Sequence, residues 1–433
     1  MFTVALAVGS CTPTTVQPDL SARSPAPPGS TASGRAPTDR PAAAVTAHVL
    51  RGENWYLVPN GLPGPSPIAG VLVSFDSDPL PTAAFARLRP GDRQAELAYA
   101  TGPNIRAASF DTHGLAPGAY TIDIVERLAQ GDTVVATHDF KLSEPEYVVW
   151  TLDFEGDASS DQALTNTAEI ADEQKIPMTI MWNPRVWTTT QVSAARAETM
   201  LAWTKARVAG GDELSLHLHM WTDFVRAAGL APRTAPSWAG RGDGYDVPIT
   251  AYPEQDQRGL LEYSLRLMAE HGLARPTTFR AGGQFANDAT LRTLGALGFV
   301  ADASAVPAGA FGRLPYSWTL AADAQPYHPS ATDANRSGDL ALLEAPTIGG
   351  NTYAFDVRTI QPIIRADLSY LAPPREIAQT RRAITIVSHP GTIDATERAA
   401  ITALFDALAP LRYDRDAGPV RFVTLAQLAQ AWR

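Results

Sequence analysis

The sequence predicts two folded parts of different class, an all-β sandwich over residues 47–145 and an α/β barrel over residues 146–433. In the first part, short runs of alternating apolar and polar residues are separated by turn residues, which is typical of antiparallel sheets. In the second part, strands of the buried type alternate with helical patterns, which is typical of parallel sheets. The length of 433 residues is ample for both parts.

Two runs carry the pattern of the first part, GVLVSF over residues 70–75 and YTIDIV over residues 120–125. The segment LAPGAY over residues 115–120 resembles the turn into the tyrosine-bearing strand of immunoglobulin-like domains. The turn residues Gln-Gly-Asp at 130–132 lead into a last strand that ends near Phe140. We therefore predict an immunoglobulin-like sandwich, and no catalytic cluster is evident in its sequence.

In the second part, strands and helices alternate along the chain. The expected strands cover residues 148–153, 178–182, 213–216, 277–279, 299–302 and 384–387, and the clearest helical patterns cover residues 161–174 and 192–208. Repeated strand–helix units of this length predict a parallel sheet, either closed into a barrel or open. In both architectures, chemistry is expected at the carboxyl ends of the strands.

The composition narrows the possible partners and site types. Hydrophobic residues make up 45% and charged residues 18%, as in ordinary globular proteins. Lys and Arg number 35 against 45 Asp and Glu, a net charge of −10, which argues against a nucleic-acid partner. Because Cys11 is the single cysteine, His and carboxylate side chains would have to hold any metal ion.

The amino terminus has the pattern of an export signal. A short apolar run leads into Val8-Gly9-Ser10-Cys11, which is similar to a bacterial lipobox, in which the cysteine becomes lipidated. This similarity implies a protein of the bacterial cell envelope, lipid-anchored or secreted. Residues 12–46 are rich in Pro, Ser, Thr and Ala and are expected to form a disordered tether. The alternative is an apolar terminus with an incidental cysteine and no role.

Polar side chains follow two of the predicted strands. Asp153 and Glu155 end the first strand of the second part, and His217 and His219 end the third. Residues two apart in an extended chain point to the same side, so each pair can face one cleft. Two imidazoles and a carboxylate leave an open coordination position for water, as in catalytic zinc sites.

Three further polar residues follow later strands, Arg280, Asp302 and His389. In order and approximate spacing, all these residues over about 147–433 resemble the motifs of polysaccharide deacetylases with NodB-type homology, carbohydrate esterase family four. The motifs depart in detail, since Asp-Phe-Glu replaces adjacent aspartates and the histidines are two rather than four residues apart. These departures indicate a divergent member and leave Asp157 as an alternative carboxylate ligand.

The resemblance implies a deformed (β/α) barrel and a hydrolase that removes acetyl groups from a polysaccharide. Its expected substrate contains N-acetylglucosamine, with acetyl esters as the alternative to acetamides. The resemblance implies a divalent metal, expected to be Zn²⁺, that is held by Glu155, His217 and His219. It also implies Asp153 as general base and His389 as general acid. Arg280 would orient Asp153, and Asp302 would orient His389.

Other interpretations of the same residues stay open. Asp153 and Glu155 also fit a chitinase-like glycoside hydrolase, and a third possibility is a sugar-binding lipoprotein without catalysis. Asp302 also fits an ordinary turn. Trp182, Trp221 and Trp318 are candidates for stacking on sugar rings, although aromatic residues at such positions are more often part of the core.

Overall fold

The computed structural model describes residues 45–64, 66–77, 83–309, 318–352 and 376–433. Cys11 and the tether predicted before residue 45 lie outside these residues. Val45, which we placed at the end of the tether, is buried, and its N–H donates to Glu126 Oε2 at 3.1 Å. Among the helices of the described ranges, none is both long and apolar enough to cross a membrane.

The first part folds into two sheets. Its strands are β1 (Ala47–Gly52), β2 (Trp55–Leu57), β3 (Ile68–Phe75), β4 (Ala84–Arg89), β5 (Arg93–Glu96), β6 (Ala98–Tyr99), β7 (Ile105–Asp111), β8 (Gly118–Leu128) and β9 (Gly131–Ser143). Within the described residues, one sheet has the order β1-β3-β7-β6 and the other β2-β9-β8-β4-β5. All pairs are antiparallel except β2 with β9.

The alternation in the sequence explains the core of the first part. Along β3, Ala69, Val71, Val73 and Phe75 are buried, whereas the residues between them are partly exposed. These side chains share one apolar cluster with Ile122 of β8. A strand that is apolar on one side only therefore packs that side against the other sheet.

The second part alternates parallel strands with helices. Its strands are β10 (Glu146–Asp153), β11 (Thr179–Trp182), β12 (Glu213–Leu218), β13 (Thr278–Ala281), β14 (Ala301–Asp302), β15 (Pro329–Ser330), β16 (Asp333–Ser337), β17 (Leu343–Glu344), β18 (Arg382–Ser388) and β19 (Val420–Phe422). Its helices are α1 (Asp161–Gln174), α2 (Ala194–Ala209), α3 (Thr222–Ala227), α4 (Glu254–Glu270), α5 (Asp288–Ala296), α6 (Ala395–Leu408) and α7 (Leu425–Ala431). Short 3₁₀ turns cover Pro184–Trp187, Ile249–Ala251, Gly282–Gln284, Ala409–Leu411 and Tyr413–Arg415.

Eight strands of the second part form one parallel sheet. Its order is β17-β14-β13-β12-β11-β10-β18, and β19 pairs with the start of β10. This curled parallel sheet with helices between its strands confirms the strand–helix alternation predicted for residues 146–433 and is consistent with a half-barrel. The pair β15–β16 lies outside this sheet and is antiparallel.

Strand β10 lies inside the sheet and is buried at every position. Its side chains alternate between two apolar clusters, so that Val148 and Trp150 pack in one and Tyr147 and Val149 in the other. A strand covered on both faces is expected to be mainly apolar, and between Glu146 and Asp153 the one polar side chain is Thr151. Its one charged carboxyl-terminal residue, Asp153, then marks the edge where the site lies.

Side chains of the loops fix where the helices begin. Ser160 Oγ accepts from the N–H of Ala163 and caps α1, which has the predicted bounds 161–174. Asp394 Oδ1 accepts from the N–H groups of Thr396 and Glu397 and caps α6. Such caps satisfy N–H groups that have no partner inside the helix.

Candidate metal and catalytic site

The candidate site begins where β10 ends. Asp153 is the last residue of the strand, Glu155 follows two residues later, and Gly156 turns the chain with φ of +81°. A Cβ at position 156 would lie 2.9 Å both from Cβ of Arg185 and from Cγ of Asn183. Both the left-handed backbone and this close approach favour glycine. The turn therefore sets the position of Glu155.

Hydrogen bonds hold the backbone around Glu155. The Trp221 indole N–H donates to the Glu155 carbonyl at 2.9 Å, and Arg185 Nη1 donates to the Gly156 carbonyl at 2.8 Å. Arg185 is buried, stacks 3.6 Å from the centre of the Trp221 ring and pairs with Asp223 at 2.8 Å. The chain after β10 is thus fastened to side chains of neighbouring elements.

Both candidate histidines come from the end of β12. His217 is in the strand and His219 directly follows it, and both are buried. His219 Nε2 lies 2.6 Å from Glu155 Oε2, and His217 Nε2 lies 3.9 Å from the same oxygen. The parallel strands β10 and β12 therefore bring one carboxylate and two imidazoles together.

The Nδ1 atoms of both rings are hydrogen-bonded to backbone carbonyls. His217 Nδ1 donates to the Arg280 carbonyl at 3.0 Å, and His219 Nδ1 donates to the Tyr245 carbonyl at 2.8 Å. A carbonyl oxygen only accepts, so Nδ1 carries the hydrogen, and in a neutral ring Nε2 presents a lone pair. His217 Nε2 is buried and has no hydrogen-bond partner among the described residues.

These donors fit a divalent cation. The ligand atoms of Glu155, His217 and His219 all lie within 4.8 Å of one another, and so do those of Asp153, Glu155 and His389. A cation between the Glu155 carboxylate and the two Nε2 atoms would be bound by all three groups. Nitrogen and oxygen ligands together are the set that catalytic zinc sites use.

The charge state of Glu155 also suits a metal ligand. Burial alone would raise the pKa of Glu155, but the neighbouring His219, His217 and His389 hold this pKa well below its usual range, so the side chain is a carboxylate. Asp157, the alternative ligand, lines the same cleft. Within the described residues, both groups of converging ligand atoms include Glu155, and neither includes Asp157.

Arg280 is completely buried beside Asp153. Its Nη1 donates to Asp153 Oδ1 at 2.8 Å and to Thr151 Oγ1 at 2.6 Å. Its Nε donates to the Ala303 carbonyl at 2.8 Å, and its Nη2 to Thr347 Oγ1 at 3.2 Å. The planar guanidinium is therefore held on three sides and gives the Asp153 carboxylate one orientation.

His389 follows β18 and lies on the other side of Glu155. Its Nε2 is 3.0 Å from Glu155 Oε1. Burial alone would lower the pKa of His389, but the hydrogen bond and charge of Glu155, together with Asp153 and Glu397, raise it. Glu397 lies in α6, where it accepts a hydrogen bond from Thr352 Oγ1 at 2.8 Å.

Asp302 is placed differently from our expectation that it orients His389. It lies in β14, and four strands separate it from β18 in the strand order of the sheet. Its Oδ1 accepts from Ser304 Oγ at 2.7 Å, and burial raises the pKa of Asp302 to about 6 beside the buried carboxyl of Glu344. The acids that act on His389 are instead Glu155, Asp153 and Glu397.

Two of the three candidate tryptophans belong to the core. Trp182 is completely buried and packs 5.3 Å from Phe154 between ring centres. Trp318 is 4% exposed, and its indole N–H donates to the Gln284 carbonyl at 2.9 Å. Neither has the open ring face that stacking on a sugar requires, because both rings are used to fill the interior. Trp221 is also only 4% exposed, but the surface that it keeps lines the cleft beside Glu155.

The cleft has a volume of about 200 Å³ and includes residues that sequence reasoning missed. Tyr245 and Arg241 line it together with Trp221 and His389. Arg241 lies 4.4 Å from the centre of the Tyr245 ring. Both residues belong to an irregular segment between α3 and α4, where no periodic pattern or motif in the sequence marks them. Glu397 carried a weak signal, since it lies three residues after the helix cap Asp394.

No protein-family model matches the sequence, and no curated protein matches it. Solved structures that resemble the chain include a candidate polysaccharide deacetylase from Mycobacterium smegmatis, 16% identical, with a TM-score of 0.43, covering 66% of this chain and 89% of that one. Peptidoglycan deacetylase PdaC from Bacillus subtilis is 13% identical, with a TM-score of 0.34, covering 66% and 92%. A family 4 carbohydrate esterase from Streptomyces lividans in complex with acetate is 12% identical, with a TM-score of 0.33, covering 62% and 89%.

Proposed function

We propose that the chain is a metal-dependent deacetylase that removes acetyl groups from a polysaccharide, as a divergent member of carbohydrate esterase family four. The observation that carries the proposal is the convergence of His217 Nε2 and His219 Nε2 on the ionised Glu155 carboxylate, with each Nδ1 committed to a carbonyl. When neutral, such rings present an Nε2 lone pair that can bind a cation.

The proposed metal ligands are Glu155, His217 and His219, and Zn²⁺ is the expected ion. When bound, such an ion polarises the acetyl carbonyl and lowers the pKa of water. The open cleft beside these three residues includes Trp221, whose indole edge is already engaged with the Glu155 carbonyl. We propose that this wall of the cleft contacts the sugar.

Proton transfer is assigned to two residues on either side of Glu155. Asp153, held at Oδ1 by Arg280, would accept the proton of the attacking water as general base. His389 would donate a proton to the departing amine as general acid. The pKa of His389 is raised, which favours the protonated ring that this role needs. Glu397, behind His389, contributes to that raised pKa.

A chitinase-like hydrolase is less well supported by the same residues. In that mechanism, Glu155 would have to carry a proton near neutral pH, which requires a raised pKa. The three histidines around Glu155 instead hold its pKa well below the usual range. In the chitinase-like interpretation, the histidine pair also has no chemical role.

We extend the proposal to the other parts of the chain. The first part is proposed to be an immunoglobulin-like sandwich, which is supported by the Tyr120 hydroxyl donating to the Ala116 carbonyl at 2.8 Å, as at the tyrosine corner of such domains. Attachment to the bacterial cell envelope through lipidated Cys11 is proposed from the sequence alone. Cys11→Ala would then move the protein from the membrane fraction to the soluble fraction.

The function is tested by measuring acetate release from chitin oligomers, peptidoglycan, exopolysaccharide and acetylated xylan. We expect release from at least one substrate, loss of release with a chelator, and recovery with Zn²⁺. Asp153→Asn should lower the rate by about 10²–10⁴-fold. Asp92→Asn is the matched control, because Asp92 is an exposed turn residue, and its rate should be unchanged.

Each other outcome contradicts a stated part of the proposal. A metal-free preparation that binds no added Zn²⁺ would exclude a metal-dependent deacetylase and favour a sugar-binding protein. New reducing ends without acetate would favour the glycoside hydrolase. Acetate release that persists in the presence of a chelator would contradict the proposed metal dependence and leave the deacetylase activity in place.

A further inference from the structure

Tyr245 contacts two of the three side chains that we assign as metal ligands, although it lies in no strand or helix. We propose that Tyr245 is a positioning residue of the metal site, which fixes the tautomer and ring plane of His219 and the carboxylate plane of Glu155. This inference rests on the metal site of the proposed function.

Tyr245 makes three contacts in two directions. Its carbonyl accepts from His219 Nδ1 at 2.8 Å, which directs the lone pair of Nε2 toward Glu155. Its ring is stacked on the His219 ring, with 4.1 Å between centres and 6° between planes. Its hydroxyl donates to Glu155 Oε2 at 3.0 Å, the same oxygen that faces both histidines. One residue therefore limits the rotation of a nitrogen ligand and an oxygen ligand together.

The segment that carries Tyr245 is held by the buried carboxylate of Asp246. This carboxylate accepts from the Ala239 N–H at 2.7 Å, from the Arg241 N–H at 3.1 Å and from the Ser237 hydroxyl. Burial alone would raise the pKa of Asp246, but these donors lower it. An irregular segment with such an anchor keeps one conformation without a sheet or helix.

The neighbouring residues fasten the segment to the chain that follows His219. The Thr222 N–H donates to the Asp243 carbonyl at 2.8 Å. Gly244 has φ of +82°, and a Cβ there would collide with the Met220 carbonyl oxygen. Because Met220 directly follows His219, this contact sets Tyr245 at a fixed distance from the proposed ligand. Preorganised supports of this kind typically change metal affinity by about 10–100-fold when removed.

The test compares Tyr245→Phe with Tyr263→Phe in the full chain. Tyr245→Phe keeps the ring and the carbonyl and removes only the hydroxyl on Glu155, so the fold should persist. Tyr263 is a half-buried tyrosine of α4 that packs 5.5 Å from Phe224, away from the ligands. Zn²⁺ affinity is measured by competition with a chelating dye, and the ligand field by the visible absorption of Co²⁺-loaded protein.

We expect Tyr245→Phe to bind Zn²⁺ about tenfold more weakly than the wild type and to shift the Co²⁺ bands. Tyr263→Phe should match the wild type in both measurements. An affinity within about twofold of the wild type together with unchanged Co²⁺ bands would overturn the inference. If the wild type binds Zn²⁺ but releases no acetate, the proposed activity fails while this comparison still decides the role of Tyr245. If the wild type binds no Zn²⁺, both fail.

Discussion

Replacing Arg280 by Met would leave the Asp153 carboxylate without its partner inside the protein. The two side chains are 0% and 5% exposed, and they are joined at 2.8 Å. Breaking a buried pair of this kind from one side costs about 3–5 kcal/mol, because the remaining charge is no longer compensated. The Ala303 carbonyl loses its Arg280 donor as well, so we expect the upper half of that range.

A second substitution distinguishes the effect of the uncompensated Asp153 charge from the effect of lost packing around Arg280. In Arg280→Met combined with Asp153→Asn, the uncompensated charge is gone, and we expect about 2 kcal/mol of the loss to be recovered. Arg336→Met is the control, since Arg336 is 81% exposed in a surface pair with Asp333, and its cost should stay below about 1 kcal/mol.

The assay is urea unfolding followed by tryptophan fluorescence. Of the nine tryptophans, only Trp55 precedes residue 146, so the signal reports mainly on the part that holds the site. A loss below about 1 kcal/mol for Arg280→Met would contradict the assignment of Arg280 and Asp153 as a buried, mutually compensating pair. So would a double variant that is no more stable than the single one.

Two further predictions concern the turn after β10 and the buried carboxyl pair. Gly156→Ala should lower Zn²⁺ affinity and acetate release at least about tenfold, because the new Cβ displaces Glu155. Gly229→Ala is the control for backbone strain, since Gly229 has a similar φ of +82° and a Cβ there would meet nothing within 4 Å. Equal effects of the two substitutions would contradict the prediction. Burial raises the pKa of Asp302 to about 6, and burial together with the charge of Asp302 raises that of Glu344 well above its usual range. The folded protein therefore keeps protons on Asp302 and Glu344 that the unfolded chain releases. The stabilisation from this protonated pair is complete below about pH 4 and declines as the pH rises through about 6. Glu344→Gln should flatten that decline in urea unfolding measured across this pH range, and an unchanged slope would count against the assignment.

Much of the second part could be predicted from local sequence. The run from Val148 to Leu152 is apolar apart from Thr151, and the structure has a strand there that is buried on both faces. Helix α1 has the predicted bounds because Ser160 caps its start and Gln174 is followed by Lys175 in the left-handed conformation. Such signals are local, since they depend on periodicity and on caps within a few residues.

The site was predictable where its residues end strands. Parallel strands place their carboxyl ends at one edge of the sheet, so Asp153, His217 and His389 could be expected at the same edge. Asp302 obeys the same rule but lies toward the other side of the sheet, with Ser304 and Glu344. The strand order, which a single sequence does not reveal, decides which strand-end residues are neighbours.

Local sequence specifies the order of the elements, the strand ends that carry polar side chains, and a donor set of imidazole and carboxylate in a chain with one cysteine. The tertiary structure decided which donors converge. It buried Trp182 and Trp318 in the core, left Trp221 at the cleft, and brought Tyr245 against His219 across 26 residues of chain. The physical reason is that periodicity and turn chemistry act over a few residues. The contacts that orient ligands depend instead on which packed segments share a surface.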